Sequence, residues 1–353
     1  METTTKPIVF NAKWHKNIFK LRKKRWVLNF FIKLTFFPIT VTFRFLRTLV
    51  RKQILPSSTY SKREIKTISE IFHHYWFTPN HDENPIKEFY RPTPLQLITP
   101  DGASLSGIYF KHINASEKTP TVILFQPNAS LTKHEEYSWL LEKTAQRNIP
   151  SNFVTFDYRG CGESLGKTKN KTTLLLDGDT VYQFVKDELK VADNFIYFYG
   201  YSLGGAISAS VRALYPKKEI KYVNERSFSS LSNVIRKKFP KAGSFLSWLA
   251  KRLGWDLQVL ELWPSLSGEK LIIFQPEDEI IPHSASLFHG LFSENRAHEC
   301  ETICLELSSK DIKINFHHSA PLNHYIDNKT KCCAQQKVLD FLFKDRVLVK
   351  DEN

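Results

Sequence analysis

From residue 90 onward the chain alternates short, continuous apolar runs with stretches of helical periodicity. "TVILF" (121–125), "SNFVTFDYRG" (151–160), "FIYFYG" (195–200), "KYVNER" (221–226), "KLIIFQ" (270–275) and "ETICLELS" (301–308) are β-branched or aromatic runs of strand length. Between and after them, residues 133–148, 173–189, 203–215 and 330–345 read as helices. Tyr137, Leu140, Leu141 and Ala145 mark the apolar face of the first. Upstream, "PLQLITPDGASLSGIYF" (94–110) alternates on both sides of Asp101-Gly102 and predicts a hairpin. Strands that are apolar throughout, rather than on alternate positions, are buried on both faces. The pattern therefore predicts an α/β fold with a mostly parallel sheet covered by helices on both sides. Such sheets carry their sites at the carboxyl ends of the strands.

The N-terminal pattern is different. Residues 1–66 hold 16 Lys/Arg against Glu2 and Glu64, which accounts for the whole net charge of +14. The remainder of the 353 residues is neutral. Within this part, "WVLNFFIKLTFFPITVTFRFLRTLV" (26–50) is Phe-rich, but Lys33, Arg44 and Arg47 interrupt it and Pro38 breaks it. A membrane-crossing helix needs about 20 mostly apolar residues, so this is a poor candidate. An in-plane helix on an anionic membrane, or a hairpin packed on the main domain, fits better. Nucleic acid is not expected, because no binding motif accompanies the charge. The division expected is a basic extension over 1–66, a linker "PSSTYSK" (56–62), and a catalytic domain over 85–345. A partial lid is expected around 227–268.

Five cysteines, Cys161, Cys300, Cys304, Cys332 and Cys333, are odd in number and show no CxxC pairing. They predict reduced thiols in a cytosol-like compartment rather than a disulfide framework or a zinc site. No cofactor is expected.

The chemistry concentrates at "NFIYFYGYSLGGAISAS" (194–210). Gly200-x-Ser202-x-Gly204 follows a strand and precedes a helix, the setting of a nucleophile elbow. Side chains at the flanking glycines would collide with neighbouring backbone, and the helix N-terminus beneath the serine favours developing negative charge. A serine needs a base, and the base an orienting carboxylate. "IIFQPEDEIIP" (272–282) offers Glu277, Asp278 and Glu279, of which mid-loop Asp278 is favoured. "INFHHSAPLNHYIDN" (314–328) offers His317, His318 and His324, and His318 is favoured. Oxyanion donors would be the N–H of Leu203 and that of Asn128 in "FQPNAS" (125–130). Trp248, Leu249, Leu253, Trp255 and Leu257 either line an acyl pocket or pack their segment onto the sheet.

"GYSLGGA" (200–206), "DYRGCGES" (157–164), "FQPNAS", "NERSFSSL" (224–231) and "PEDEIIP" resemble, in this order, the α/β-hydrolase superfamily. Within it they are similar to the Bem46-like serine hydrolases. The Asn-Ala of the early loop and "HSAPL" (318–322) resemble the Chlamydia CHLPS-type proteins, which have relatives among secreted Legionella effectors. The resemblance covers roughly residues 85–345. It implies an α/β-hydrolase fold, with Ser202 as nucleophile, Asp278 as acid, His318 as base, and an ester, thioester or lipid-like acyl substrate. It implies a structural, carboxylate-paired role for Arg159. The chain departs from the common pattern at Gln126-Pro127, where His-Gly is usual, although the CHLPS-type relatives also favour Pro there. The competing expectation is an inactive, membrane-associated scaffold on the same fold.

Overall fold

The computed structural model describes residues 6–19, 48–77, 85–133, 136–293, 302–310 and 313–347. The in-plane helix expected over 26–50 falls mostly outside these residues, as does Cys300.

Ten strands form one sheet: β1 (Ile8–Asn11), β2 (Tyr90–Ile98), β3 (Ser104–His112), β4 (Thr121–Phe125), β5 (Asn152–Phe156), β6 (Ile196–Tyr201), β7 (Tyr222–Glu225), β8 (Lys270–Phe274), β9 (Thr302–Ser309) and β10 (Tyr325–Asp327). Their order is β1-β2-β3-β5-β4-β6-β7-β8-β9-β10. The six strands from β5 across to β9 are mutually parallel. β3 runs antiparallel to both β2 and β5, and β10 antiparallel to β9. Every residue of β4 to β8 is buried, as the unbroken apolar runs require. The pleat divides them between two cores. Ile123, Phe125, Val154, Phe156 and Phe198 face one cluster, and Val122, Leu124, Phe153, Tyr197 and Tyr199 the other.

Helices cover both faces. We label them α1 (Lys62–Phe77), α2 (Ser138–Gln146), α3 (Lys171–Gln183), α4 (Leu203–Arg212), α5 (Leu231–Lys238), α6 (Gly243–Leu253), α7 (Leu287–Ser293) and α8 (Ala334–Val347). α3 and α4 supply Leu174, Val181, Ile207 and Val211 to the first core. α1, α2 and α8 supply Phe72, Trp76, Leu140, Leu339 and Leu342 to the second. Among the described residues no helix is long and apolar enough to cross a membrane.

Two expectations about the N-terminus change. β1, inside the supposed extension, is the edge strand of the sheet, parallel to β2. Four residues with alternate half-burial are too short a pattern to read from sequence. "PSSTYSK" is not a linker. Pro56–Thr59 is a turn of 3-10 helix with Ser57 buried, and Leu55 beside it lies in the first core. Its composition looks like that of a linker, yet Ser57 and Tyr60 hydrogen-bond to the Asn128 and Ala129 carbonyls of the main domain.

Of the segment 244–264, Leu253, Trp255 and Leu257 are buried in the first core, and Leu249 packs partly buried against it. Trp248 projects to solvent. The packing alternative therefore holds for the buried residues.

Candidate active site

The order of strands reverses around β4, whose successor β5 lies on one side and β6 on the other. A crevice at such a switch point is where open α/β sheets place their sites. Ser202 stands there, between the last residue of β6 and the first of α4. Its backbone is at φ 53°, ψ −117°, a conformation that L-residues avoid. The strain is held by the hydrogen bond from Ser202 N–H to the Glu225 carbonyl at 2.8 Å, and by the glycines around it. A Cβ on Gly200 would lie 2.4 Å from Ser208 Oγ and 2.5 Å from the Gly204 carbonyl oxygen. One on Gly204 would lie 2.0 Å from the Phe125 carbonyl oxygen. The glycines are thus needed for close approach: the elbow presses against α4 on one side and the loop after β4 on the other.

His318 and Asp278 meet Ser202 at this point. His318 Nε2 is 2.9 Å from Ser202 Oγ, and His318 Nδ1 is 2.6 Å from Asp278 Oδ2. All three residues are buried. The remaining Asp278 oxygen, Oδ1, accepts the N–H groups of Ile280 and Ile281 at 2.8 and 2.7 Å. The carboxylate is therefore fully satisfied and fixed in orientation, as a buried charge must be.

The competing residues do other things. Glu279 accepts the His318 backbone N–H at 3.2 Å. Glu277 is exposed and lies 3.4 Å from His317 Nε2. His317 Nδ1 is within hydrogen-bond distance of Gln275 and Tyr325. His324 ends a short 3-10 turn, Leu322–His324, and its carbonyl accepts from Lys310 N–H.

The loop bearing His318 is held by groups that the sequence pattern did not reveal. Arg226 follows β7 at φ 43°, and its Nη1 donates to the carbonyls of His317 and Ala320 at 2.8 and 2.7 Å. Tyr201 O–H donates to the His318 carbonyl. Arg226 also pairs with Glu225, which accepts Tyr199 O–H at 2.5 Å, and its guanidinium lies over the Tyr201 ring. Burial opposes the Arg226 charge, but Tyr201 and Glu225 outweigh it and hold the group above its ordinary pKa. Arg226 lies in the motif "NERSFSSL", but the motif does not show its partners, which come from positions about 90 residues away.

The loop after β4 is held in the same way. Tyr137 O–H donates to the Phe125 carbonyl, Tyr158 O–H to Gln126, and Tyr60 O–H to Ala129. Ser57 donates twice to the Asn128 carbonyl, from its N–H at 3.3 Å and its Oγ at 3.1 Å. Gln126 Nε2 donates to Thr155 Oγ1 at 2.6 Å, so the residue replacing the usual His is built into the core. The contact at Gly204 brings this loop against the start of α4, the relation the two expected oxyanion donors, Asn128 and Leu203, require. Ser57 Oγ also lies 3.4 Å from Cys161 Sγ, and burial pushes that thiol up to about 12. Cys161 is a packing residue, not a nucleophile.

Arg159 takes a structural place. Its Nη1 pairs with Asp101 and its Nε with Asp177, at 2.8 and 2.7 Å. This joins the β2–β3 turn to α3. Among the described residues no group of His, Cys, Asp or Glu is arranged to hold a metal ion, and none of the four described cysteines is in a disulfide.

The family model described as Chlamydia CHLPS protein (DUF818) matches residues 4–297. The chain belongs to the Chlamydia CHLPS protein family. The matched span takes in β1, Ser57, Ser202 and Asp278, while His318 lies beyond it. This CHLPS-family chain is 25% identical to Bem46 of Schizosaccharomyces pombe over 194 residues, covering 53% of this chain and 61% of Bem46. It is 28% identical to YfhR of Salmonella typhi over 217 residues, 56% of this chain and 70% of YfhR. Among solved structures it is similar to an α/β hydrolase from Vibrio vulnificus. There the TM-score is 0.50 and the identity 15%, over 82% of this chain and 94% of that one. The likeness supports the same α/β-hydrolase fold.

Proposed function

We propose that this CHLPS-family protein is a serine hydrolase of carboxylic ester or thioester bonds. The observation that carries the reading is the continuous relay Asp278–His318–Ser202 at 2.6 and 2.9 Å, buried at a strained strand-to-helix turn. Ser202 Oγ would attack the acyl carbon as His318 Nε2 takes its proton. Asp278 would hold the Nδ1–H tautomer and stabilise the imidazolium. The Asn128 and Leu203 N–H groups would receive the negative charge on the carbonyl oxygen. Collapse of the tetrahedral adduct would break the bond to the leaving alcohol or thiol, which takes the proton from His318. Water, deprotonated by the same His318, would then cleave the acyl-enzyme and regenerate Ser202. A lipid-like acyl group fits the excess of cations and Phe in residues 1–66, as does an anionic membrane surface.

The test is labelling by a fluorophosphonate, which modifies an activated serine. The wild type should label and Ser202→Ala should not. The wild type should also release p-nitrophenol from acyl esters above the Ser202→Ala background, faster as the chain lengthens. Folded wild type that neither labels nor hydrolyses, with or without anionic liposomes, would overturn the hydrolase reading. An equal preference for acetate would remove the lipid-like part of it.

A further inference from the structure

In the helical hairpin α5–α6, α5 buries Leu231 and Val234 in the usual amphipathic sense, but α6 turns its aromatic side chains outward. The inward face of α6 is small: Gly243, Ser247 and Ala250 are buried, with Leu253 at the end. A Cβ on Gly243 would lie 2.7 Å from the backbone of Arg236, so the two helices touch at that point. The aromatic groups of the hairpin point outward instead. Phe245 is 62% exposed and Trp248 50%, their rings stacked with centroids 5.9 Å apart, and Phe239 between the helices is 50% exposed. Phe245, Trp248 and Arg252 fall at i, i+3 and i+7, one stripe of the helix. The Arg252 guanidinium lies over the Trp248 ring.

The charge of the same element has one sign. Residues 231–253 contain Arg236, Lys237, Lys238, Lys241, Lys251 and Arg252, and no Asp or Glu. All six side chains are exposed. The neighbouring carboxylates are largely committed elsewhere. Asp256 is buried and accepts the Ser232 N–H, Glu279 accepts the His318 N–H, and Glu277 lies beside His317. Glu261 shares a polar trench with Arg236 and Lys251. Exposed aromatics ringed by cations, on a helix whose small residues face inward, are the composition of an interfacial helix. The hairpin also borders the candidate site: Lys238 Nζ donates to the carbonyl of Glu279, the residue after Asp278. The loops carrying Asp278 and His318 expose Ile280 and Phe316.

We infer that α5–α6 is a docking surface for an anionic lipid bilayer, its aromatic stripe entering the headgroup layer and the hairpin's excess of cations, Arg252 beside the stripe among them, attracting lipid phosphates. The complementarity of charge selects the occupant. A second copy of this largely neutral catalytic body would not complement the cations, whereas an anionic bilayer matches both the charge and the exposed rings. Docking there sets the loops carrying Asp278 and His318, with exposed Ile280 and Phe316, near the lipid surface. The inference stands apart from the hydrolase reading, because an inactive protein would dock equally well.

The test uses the full chain, and it must separate the hairpin from the cations of residues 1–66. The emission of Trp248 is obtained as wild type minus Trp248→Phe. On phosphatidylglycerol vesicles with brominated acyl chains this difference emission should be strongly quenched, and on phosphatidylcholine vesicles it should not. In co-flotation, Phe245→Ser/Trp248→Ser should lower the partition coefficient on anionic vesicles by about tenfold. Both positions are exposed, so the fold and the fluorophosphonate labelling rate without vesicles should be unchanged. The inference is overturned if the protein floats while Trp248 remains unquenched, which would leave binding to residues 1–66 alone. It is also overturned by equal quenching on neutral vesicles, or by no flotation. A dimer broken by the double variant, with no vesicle binding, would assign the stripe to self-association. Loss of labelling in wild type with docking intact would sink the hydrolase reading and leave this one standing.

Discussion

At the scale of the single residue, the candidate site depends on orientation more than on proximity. Asp278 meets His318 with one oxygen and two backbone N–H groups with the other, which leaves no freedom to rotate. Asp278→Asn can keep the carbonyl oxygen on Ile280 and Ile281, but then turns an amide N–H toward His318 Nδ1. The imidazole must carry its proton on Nε2, facing Ser202, and cannot act as base. We expect kcat to fall by roughly 10³–10⁴ with little change in melting temperature. A loss below tenfold in an ester assay would show that Asp278 does not set the tautomer. The sequence favoured His318 over His317 and His324, but with all three in one short stretch it did not show what orients the ring. The ring is oriented by Arg226 and Tyr201, which grip the loop's carbonyls and turn His318 toward the elbow.

At the scale of the element, the N-terminal arm is tied to the loop after β4, the proposed oxyanion loop. The Ser57 hydroxyl and N–H both end on the Asn128 carbonyl, and Tyr60 holds the next one. The two bonds hold the Asn128 carbonyl in place, so a shift of this arm would displace the Asn128 backbone and with it its N–H. Ser57→Ala removes one of the two bonds, worth about 0.5–1.5 kcal/mol. We expect kcat and the fluorophosphonate labelling rate to fall roughly three- to tenfold, well short of the 10²–10³ of losing an oxyanion donor outright. KM should change little, because Ser57 is buried and its hydroxyl is engaged by the Asn128 carbonyl. A lower melting temperature with unaltered kcat would make the contact structural only. Nothing in "PSSTYSK" announces this role, since composition marks turn-forming residues without saying what their hydroxyls bond to.

At the scale of the whole molecule, the sheet buries acids whose ionisation opposes folding. Burial raises Asp157, at the end of β5, to about 7, against the Thr132 N–H bond at 2.6 Å that favours its charge. Asp177 and Asp179 are raised to about 6 by the same cause. A carboxyl with a raised folded-state pKa binds its proton more tightly in the native state. Its contribution is complete below the unfolded value of 3.8 and is lost as pH rises to about 7. Asp157→Asn keeps the acceptor for Thr132 and removes the titration. The variant should match wild type near pH 4 and exceed it above pH 7 by roughly 2–4 kcal/mol. Urea unfolding at both values checks this, and a variant less stable at pH 8 would show that ionised Asp157 is stabilising.

The sequence by itself determined the parts of this protein whose causes are local. Unbroken apolar runs imposed buried strands from β4 to β8, and their alternation with helices imposed a mostly parallel sheet. Glycines two residues either side of Ser202 announced a turn too tight for side chains, and the geometry shows the atoms a Cβ would strike. Pairings between distant segments were decided only by the tertiary structure. These include β1 as an edge strand, Ser57 on Asn128, Arg226 beneath the histidine loop, and the outward stripe of Phe245 and Trp248. The reason is physical. Periodicity records which face of an element is apolar, but a hydrogen bond across 71 or 91 residues leaves no trace in either neighbourhood until the chain has closed. For the same reason the sequence left Trp248 of α6 open between an acyl pocket and packing on the sheet, and neither reading placed it in solvent. Only the small residues packed beneath it turned that ring toward solvent.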